Sequence, residues 1–298
     1  MLNSLTLPAP AKLNRMLHIT GKRADGYHEL QTLFQFLDLG DELTFQLTDD
    51  AQLQLSPVLP DVAEDDNLVM RAARLLLPLR QNKQLGVHIH LQKNLPMGGG
   101  LGAGSSDAAT TLLALNQLWQ LNLDLIQLAK LGLKLGADVP VFIFGQSAWA
   151  EGVGEKLQVC PVDESVCLLI HPGCHCNTAT LFAHPDLPRN TPVIHPCELQ
   201  QHLGENDFEA LVLKLYPAVQ AAFYWLRSEG ATPHLTGSGA CVYSLLPDFE
   251  QAAELLTKLP THFAEFPSRG WITQGQNLSP AHKKLSELKG SLFIPAWL

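Results

Sequence analysis

Apolar and polar residues alternate along the first third of the chain, with the two-residue period of a β-strand. Over residues 5–19, Leu13 and Ile19 fall on one face, and Lys12 and Asn14 fall on the other. Residues 30–37, 43–55 and 87–91 repeat the alternation, and an Asp25-Gly26 turn signal precedes the first of these stretches. This periodicity predicts strands that bury one face of a sheet.

Apolar residues at helical spacing follow the strands. They recur at every third or fourth position over residues 66–79, 105–121 and 124–135, and again over residues 206–229 and 250–259. Residues 166–170 and 234–246 have the character of further strands. Because strands precede helices instead of alternating strictly with them, the pattern predicts an α+β fold.

The length of the chain predicts two domains. It has 298 residues, and one domain usually takes about 100–200 residues. Polar sequence that includes Pro161, at residues 152–163, interrupts the pattern. We therefore expect a boundary near residue 155, with domains at 1–155 and 156–298.

Composition narrows the class of protein. Hydrophobic residues make up 46% of the chain and charged residues only 16%, which indicates a compact globular protein. A net charge of −9 without a Lys/Arg run argues against nucleic-acid binding. No apolar run reaches the roughly 18 residues that cross a membrane, and the first residues lack a basic-then-apolar signal pattern. We therefore expect a cytoplasmic protein without a membrane partner.

Six cysteines lie in the second half of the chain, and reduced thiols are expected for all of them. The segment Cys174-His175-Cys176, close to His171, has a faint likeness to metal-ligand spacing. No second pair of ligands matches it, so buried or incidental thiols are the preferred interpretation.

Residues 94–106 form a glycine-rich segment between a predicted strand and a predicted helix, Asn-Leu-Pro-Met-Gly-Gly-Gly-Leu-Gly-Ala-Gly-Ser-Ser. Glycines permit positive φ and close approach of a ligand, and the helix start offers free N–H groups and the positive end of its dipole. The segment matches neither Walker A nor G-x-G-x-x-G. It predicts a phosphate loop of another type, in which Ser105 and Ser106 cap the helix or bond a phosphate oxygen.

Lys12 and Asp138 are candidate catalytic residues, although each has an ordinary alternative. A lysine on a strand is usually solvated, and Asp138 has the position of a helix N-cap. Phosphoryl transfer gives both another role, because a base must accept the hydroxyl proton and cations must balance the charge on the transferred group. A second glycine loop at residues 235–242 is either a plain β-turn or a functional loop.

Together these segments resemble the three motifs of the GHMP kinase superfamily, in the same order along the chain. The motifs are Pro10-Ala-Lys-Leu-Asn14, the loop 96–106 with its helix, and residues 235–242. The resemblance implies a two-domain α+β kinase with its active site in the cleft between the domains, and it implies ATP and Mg²⁺ as cofactors.

Further segments resemble the branch of this superfamily that acts on 4-diphosphocytidyl-2-C-methyl-D-erythritol. Among them are Arg23-Ala-Asp-Gly-Tyr-His-Glu-Leu30, which the wider superfamily lacks, and Leu187-Pro-Arg-Asn-Thr191. This resemblance implies ATP-dependent phosphorylation of the 2-hydroxyl of that small molecule, giving the 2-phosphate and ADP, in non-mevalonate isoprenoid synthesis. Two alternatives remain: a mevalonate or homoserine kinase, and a catalytically silent binding protein of GHMP fold.

The resemblance also implies roles for individual residues, with Asp138 and Lys12 as the catalytic pair. Matching positions at the nucleotide site are Asn67, Lys93, Pro96, Met97, Gly98, Gly99, Gly100, Leu101, Gly102, Ala103, Gly104, Ser105 and Ser106. Matching positions at the cytidine site are Asn14, Tyr27, His28, Thr178 and Phe182. Aromatic faces can sandwich a base, and a histidine can bond its polar edge.

The sequence leaves three points undetermined. The Mg²⁺ ligands are undetermined, with Ser105 and Ser106 as candidates. Asp107 either faces away from the loop and complements the helix dipole, or meets Mg²⁺ through water. Monomer and homodimer are both compatible with the sequence.

Overall fold

The structure, a computed structural model, describes residues 2–59 and 62–289. The apolar segment at residues 290–298, to which the sequence assigns no role, lies outside the described residues. Long strands come first along the chain, and helices and strands both recur in the second half. The α+β prediction is confirmed.

Two long antiparallel strands form the centre of the fold. The first, β1, spans Ser4–Lys22, and the second, β2, spans His28–Thr48. They pair along most of their length, with three shifts in register. The other strands are β3 Leu53–Ser56, β4 Gly86–Gln92, β5 Ala148–Gly152, β6 Lys156–Val159, β7 Val166–His171, β8 His234–Leu235, β9 Val242–Leu246, β10 His262–Phe263, β11 Phe266–Pro267 and β12 Arg269–Gln276.

The helices are mostly short, and α2 is the longest of those described. They are α1 Leu68–Leu76, α2 Ala103–Leu118, α3 Leu125–Leu133, α4 Val139–Phe144, α5 Thr178–Ala183, α6 Leu199–His202, α7 Glu209–Leu215, α8 Pro217–Ser228, α9 Phe249–Thr257 and α10 Pro280–Lys289. Short 3-10 turns cover Leu77–Leu79 and Pro196–Glu198. Among the described helices, none combines the length and the apolar character that crossing a membrane requires.

One sheet extends through both halves of the chain, in the order β3-β4-β2-β12-β7-β9-β8. Strands β1 and β5 also pair with β2, and β6 pairs with β5. The connection between the halves is β12, because Gly275 and Gln276 pair with β2 while residues 269–274 pair with β7. The hairpin β5–β6 crosses residue 155, so the domain boundary expected there stays a prediction.

Apolar side chains form two main cores, one on each half of the sheet. In the first half, α1 to α4 cover β1, β2 and β4, with Phe36, Phe45 and Leu112 at the centre. In the second half, α5, α7, α8 and α9 cover β7 and β9. A smaller cluster that includes Leu13 and Tyr243 lies between the two cores, and it also contains Leu101 of the glycine-rich segment.

The helical sequence predicted over residues 206–229 is confirmed, but it forms two helices. The structure divides it into α7 and α8, with Tyr216 in an extended conformation between them. Pro217 is the first residue of α8. A proline disfavours the helical conformation in the residue before it, so α7 ends where the sequence Tyr-Pro begins.

Candidate active site

A cleft of about 700 Å³ lies beside β1, β2, the glycine-rich segment and α5. It brings together residues that are far apart in the chain. The candidate residues that line it are Lys12, Asn14, Tyr27, His28, Asn67, Lys93, Pro96, Met97, Gly98, Gly99, Gly100, Leu101, Gly102, Ala103, Gly104, Ser105, Asp138, Thr178 and Phe182. Ser106 is fully buried and does not line the cleft.

The glycine-rich segment has the backbone that its sequence predicts. Gly98, Gly100 and Gly102 take positive φ values of 68°, 76° and 70°. Gly102 is the residue before α2, and no side chain caps that helix. The first N–H groups of α2 therefore remain available to an anion, and the positive end of its dipole lies at the cleft.

Of the two roles predicted for Ser105 and Ser106, capping of the helix is wrong. Because Gly102 turns the chain into the helix with a positive φ, α2 begins at Ala103. Both serines therefore lie within the first turn of α2 and not before it. Of the two, only Ser105 lines the cleft, which leaves its hydroxyl as the one placed to meet a bound phosphate.

The second glycine loop packs directly against the first one. The backbone N–H of Cys241 donates to the carbonyl of Gly99 at 3.1 Å, and the hydroxyl of Thr236 donates to the carbonyl of Gly100 at 3.4 Å. That hydroxyl also accepts from the N–H of Asn14 at 3.0 Å. The second loop is thus more than a plain turn, because it fixes the first loop against β1.

Lys12 and Asp138 meet in the cleft, with Nζ and Oδ2 separated by 3.4 Å. Lys12 is buried, and its ammonium also donates to Asn14 Oδ1 at 2.5 Å and to the carbonyl of Gly100 at 3.1 Å. Asp138 directly precedes α4, yet its side chain makes no capping hydrogen bond. The carboxylate, about one-third exposed, therefore faces the lysine and the cleft, where it can accept a proton.

Lys93 bonds two carboxylates, Asp41 and Asp107, and the distance to Asp107 Oδ2 is 3.0 Å. The proposal that Asp107 faces away from the loop is wrong, because Asp107 lines the cleft. Burial raises the pKa of Asp107 to about 7, against the opposing attraction of Lys93. Its other oxygen, Oδ1, is buried and has no hydrogen-bond partner in the described part of the chain.

Asp41 is the functional neighbour that the sequence did not reveal. It lies in β2, where apolar and polar residues alternate, and its side chain is fully buried. Besides bonding Lys93, it accepts from the backbone N–H groups of Asn94 and Leu95 at 2.6 and 2.8 Å. It thereby anchors the chain just before the glycine-rich loop. The signal available was an aspartate inside an apolar strand, which usually has a specific partner.

The other end of the cleft is aromatic. The rings of His28 and Phe182 stack with their centroids 4.7 Å apart and their planes at 23°. This spacing leaves no room for a base between those two rings. Tyr27 lines the same cleft and is 61% exposed, so a base that stacks on Phe182 or His28 has the Tyr27 ring nearby.

Arg189 fixes the position of His28, a role that sequence reasoning left unassigned. Its Nε–H donates to His28 Nε2 at 3.3 Å, and its other nitrogens donate to the carbonyls of Leu187, Phe182 and His184. Because Nε2 accepts this bond, the proton of a neutral His28 sits on Nδ1. Burial, Arg189 and Lys22 all lower the pKa of His28, which favours this neutral form.

The remaining candidates have partners of their own. Asn14 Nδ2 donates to the hydroxyl of Thr32 at 2.8 Å, and the hydroxyls of Thr178 and Ser238 are 2.6 Å apart. Asn67 lines the cleft but uses Oδ1 to cap α1, where it accepts from the N–H of Val69 at 2.9 Å. Cys174 and Cys176 are buried in the second core, in keeping with the preference for buried thiols.

Known proteins match this chain over nearly its full length. Residues 67–146 match the family described as GHMP kinases N terminal domain, and residues 195–265 match GHMP kinases C terminal. A 4-diphosphocytidyl-2-C-methyl-D-erythritol kinase of Chromohalobacter salexigens is 52% identical over 287 residues, which cover 94% of each chain. One of Marinobacter nauticus is 50% identical over 293 residues, which cover 97% of this chain and all of the relative. The chain belongs to the 4-diphosphocytidyl-2-C-methyl-D-erythritol kinase family.

Solved structures agree with this assignment. A crystal structure of 4-(cytidine 5'-diphospho)-2C-methyl-D-erythritol kinase matches with a TM-score of 0.77 at 31% identity, covering 91% of this chain and 99% of that one. A homoserine kinase from Cytophaga hutchinsonii matches with a TM-score of 0.63 at 18% identity, a likeness in fold alone. The predicted superfamily and the predicted branch within it are both confirmed.

Proposed function

We propose that this chain transfers the γ-phosphoryl group of ATP to the 2-hydroxyl of 4-diphosphocytidyl-2-C-methyl-D-erythritol. Membership of the kinase family supports the reaction. The observation that carries the mechanism is the Lys12–Asp138 pair, which lies in one cleft with the glycine-rich loop and with the aromatic pair His28 and Phe182. The proposed phosphate loop, the catalytic pair and the proposed cytidine site therefore all line the same cleft.

Asp138 is the proposed general base. In the reaction, the 2-hydroxyl attacks the γ-phosphorus, its proton passes to Asp138, and the bond to the β-phosphate oxygen breaks to release ADP. Lys12 is held by Asn14 and the carbonyl of Gly100, so its ammonium is already positioned before the substrates bind. It stabilises the negative charge that develops on the attacking oxygen.

The glycine-rich loop and the start of α2 are the proposed site of the ATP phosphates. Free N–H groups and positive-φ glycines form a concave anion site there. The net charge of the chain is −9, so long-range attraction does not favour an anionic nucleotide. Affinity must therefore come from these local donors.

Mg²⁺ is the proposed metal, and Asp107 is the residue that fits it. Its Oδ1 is buried, lacks a hydrogen-bond partner among the described residues and belongs to a residue that lines the cleft. Carboxylate oxygens are ligands that Mg²⁺ prefers. When bound, the ion supplies positive charge that offsets the charge on the phosphate oxygens. Ser106 is set aside as a ligand, because it does not line the cleft.

Cytidine recognition is proposed for the aromatic end of the cleft. With Nε2 held by Arg189, neutral His28 keeps an Nδ1–H donor, which suits an acceptor on the edge of cytosine. Stacking on one aromatic ring contributes about 1–3 kcal/mol per base in nucleic-acid binders. Tyr27 and Phe182 are the proposed stacking residues, and Asn14 and Thr178 are proposed as polar neighbours of the same substrate.

An ATP-consumption assay with three acceptors tests the proposed function. We expect turnover of 4-diphosphocytidyl-2-C-methyl-D-erythritol and none of mevalonate or homoserine, because the aromatic end of the cleft suits a nucleobase. The Asp138→Asn variant, purified in parallel, measures background ATPase activity. Turnover of mevalonate without the cytidyl compound would overturn the substrate assignment. Binding of ATP without turnover of any acceptor would favour the silent binding protein.

Replacement of Arg189 by methionine tests the role of His28. Because Arg189 lowers the pKa of His28, its loss should let the ring protonate at a higher pH and lose its neutral form. Protonation at the ordinary histidine pKa would raise the acceptor KM at pH 6 by up to about fourfold relative to pH 8. The wild-type enzyme should show a smaller rise between these two pH values.

The measurement is the ratio of acceptor KM values at pH 6 and pH 8 for both proteins. This ratio separates titration from a general loss of fit, which would raise KM equally at both pH values. Lys22→Met is a matched control, since Lys22 also lowers the pKa of His28 but contributes less than Arg189. A ratio in Arg189→Met equal to that of the wild type would remove His28 titration from acceptor binding.

A further inference from the structure

Two histidines and a glutamate converge away from the cleft described above. His18 lies on β1, His202 is the last residue of α6, and Glu205 follows three residues later. His18 Nε2 is 2.7 Å from Glu205 Oε2, and His202 Nδ1 is 2.9 Å from the same oxygen. The two rings meet edge to face, with their centroids 5.5 Å apart. Within the described chain, three potential metal ligands thus lie within 4.8 Å of one another.

Backbone hydrogen bonds hold these three side chains in place. The N–H of Leu17 donates to the carbonyl of Glu205 at 2.9 Å, and the N–H of Gly204 donates to the carbonyl of Arg15 at 2.7 Å. The N–H of Asp207 donates to the carbonyl of Leu17 at 3.0 Å. The segment 204–207 is therefore paired to β1 at Arg15 and Leu17, just before His18, and the ligands need little reorganisation to meet an ion.

The donor set suits a transition-metal ion. Imidazole nitrogens with one carboxylate oxygen are typical ligands of Zn²⁺ and its neighbours, whereas Mg²⁺ prefers oxygen. Ligand bonds of about 2.0–2.2 Å around a tetrahedral ion require the ligand atoms to lie roughly 3.3 Å apart. The nitrogen–oxygen distances of 2.7 and 2.9 Å would open by only about half an ångström when an ion replaces the shared protons.

Access to the cluster is open on one side. His18 is buried, but the side chains of His202 and Glu205 are 27% and 51% exposed. An ion can therefore enter from solvent and keep water in its fourth position. His18 Nδ1 has no hydrogen-bond partner in the described part of the chain. A metal-bound histidine usually donates that second N–H to an acceptor, and loss of such a partner costs 10–100-fold in affinity.

We propose that His18, His202 and Glu205 form a binding site for a divalent first-row transition ion, with Zn²⁺ as the probe. Three protein ligands without a complete outer shell set the affinity in the micromolar range. The ion joins α6 and the segment 204–207 to β1. The next residue, Asn206, donates to the carbonyls of Leu235 and Gly237 at 3.0 and 2.9 Å. An ion that fixes the segment 204–207 therefore also supports the second glycine loop.

The test is a titration of chelator-treated protein with Zn²⁺, followed by calorimetry and by thermal unfolding. We expect one ion per chain and a rise in Tm of about 5 °C when Zn²⁺ is a hundredfold above its Kd. The variants His202→Ala and Glu205→Gln should each lose this ion and the rise in Tm. Both side chains are partly exposed, so both variants should fold.

A nearby pair supplies the control. His195 Nδ1 and Cys197 Sγ are 3.0 Å apart and exposed, so they could hold an ion with two ligands. Cys197→Ser should leave both the bound ion and the rise in Tm unchanged. Titration with Co²⁺ should give a spectrum without a thiolate charge-transfer band. The proposal is overturned if His202→Ala binds Zn²⁺ as the wild type does, if Cys197→Ser abolishes binding, or if the wild type binds no ion at micromolar concentration.

Discussion

Asp138→Asn is expected to lower kcat by at least about 10²-fold, while the Kd of ATP stays within about threefold of the wild-type value. Asparagine has almost the same size as aspartate, but it cannot accept the proton of the attacking hydroxyl. It also removes the negative charge that lies 3.4 Å from Lys12 Nζ. A hundredfold loss corresponds to about 2.7 kcal/mol of transition-state stabilisation.

Initial rates at saturating ATP and acceptor measure kcat, and calorimetry measures ATP binding. Asp65→Asn is the matched control, because it makes the same change in net charge at a side chain that is 91% exposed and pairs with Arg74. That variant should keep wild-type kcat. If Asp138→Asn retains kcat within about threefold of the wild type, Asp138 is not the general base.

Gly100→Ala should cause the largest combined loss of stability and of ATP use among single-methyl changes in the loop. An alanine at the φ of +76° found here costs about 1–2 kcal/mol on its own. Its Cβ would also lie 2.2 Å from the carbonyl oxygen of Thr236, and a backbone atom cannot rotate away. The two glycine loops would have to separate, which would displace the carbonyl that Lys12 and Thr236 share.

We expect Tm to fall by at least about 4 °C and kcat/KM for ATP to fall at least about tenfold. Gly104→Ala is the matched control for stability. Gly104 lies in α2, and a Cβ there would come no closer than 3.4 Å to its nearest neighbour, Leu68. Alanine within a helix is more stable than glycine by roughly 0.5–1 kcal/mol, so Tm should not fall. A Gly100→Ala enzyme with wild-type Tm and ATP kinetics would contradict the packing of the two loops.

The sequence predicts the parts of this fold that depend on local pattern. The alternation along β1 and β4 is a property of short segments, and so is the glycine-rich run that leads into α2. The apolar spacing over residues 206–229 likewise predicted helical sequence, but it did not show that Pro217 divides this sequence into two helices. The exact start of α2 depended on which glycine takes a positive φ, and several glycines in a row could have done so.

The candidate site was less accessible from pattern alone. Lys12 and Asp138 meet only because β1 and α4 are adjacent in space, and nothing local to either residue indicates its partner. Their pairing followed from the resemblance to a known family. Asp41 and Arg189 make hydrogen bonds to backbone groups that come from other segments. Such contacts depend on tertiary structure, so the sequence near either residue does not identify its partners, although the position of Asp41 inside an apolar strand indicates that it has one.

The 21-residue strand β2 has a consequence for how substrates reach the enzyme. It pairs with β4 in the first half and with β12, which itself pairs with β7 of the second half. Asp38 of β2 adds a further link, because it accepts from the N–H of Gln274 at 2.9 Å. Rotation of one half against the other would have to break this backbone ladder. We therefore expect nucleotides to enter and leave at the exposed rim at Tyr27 and Met97, with little rotation between the two halves.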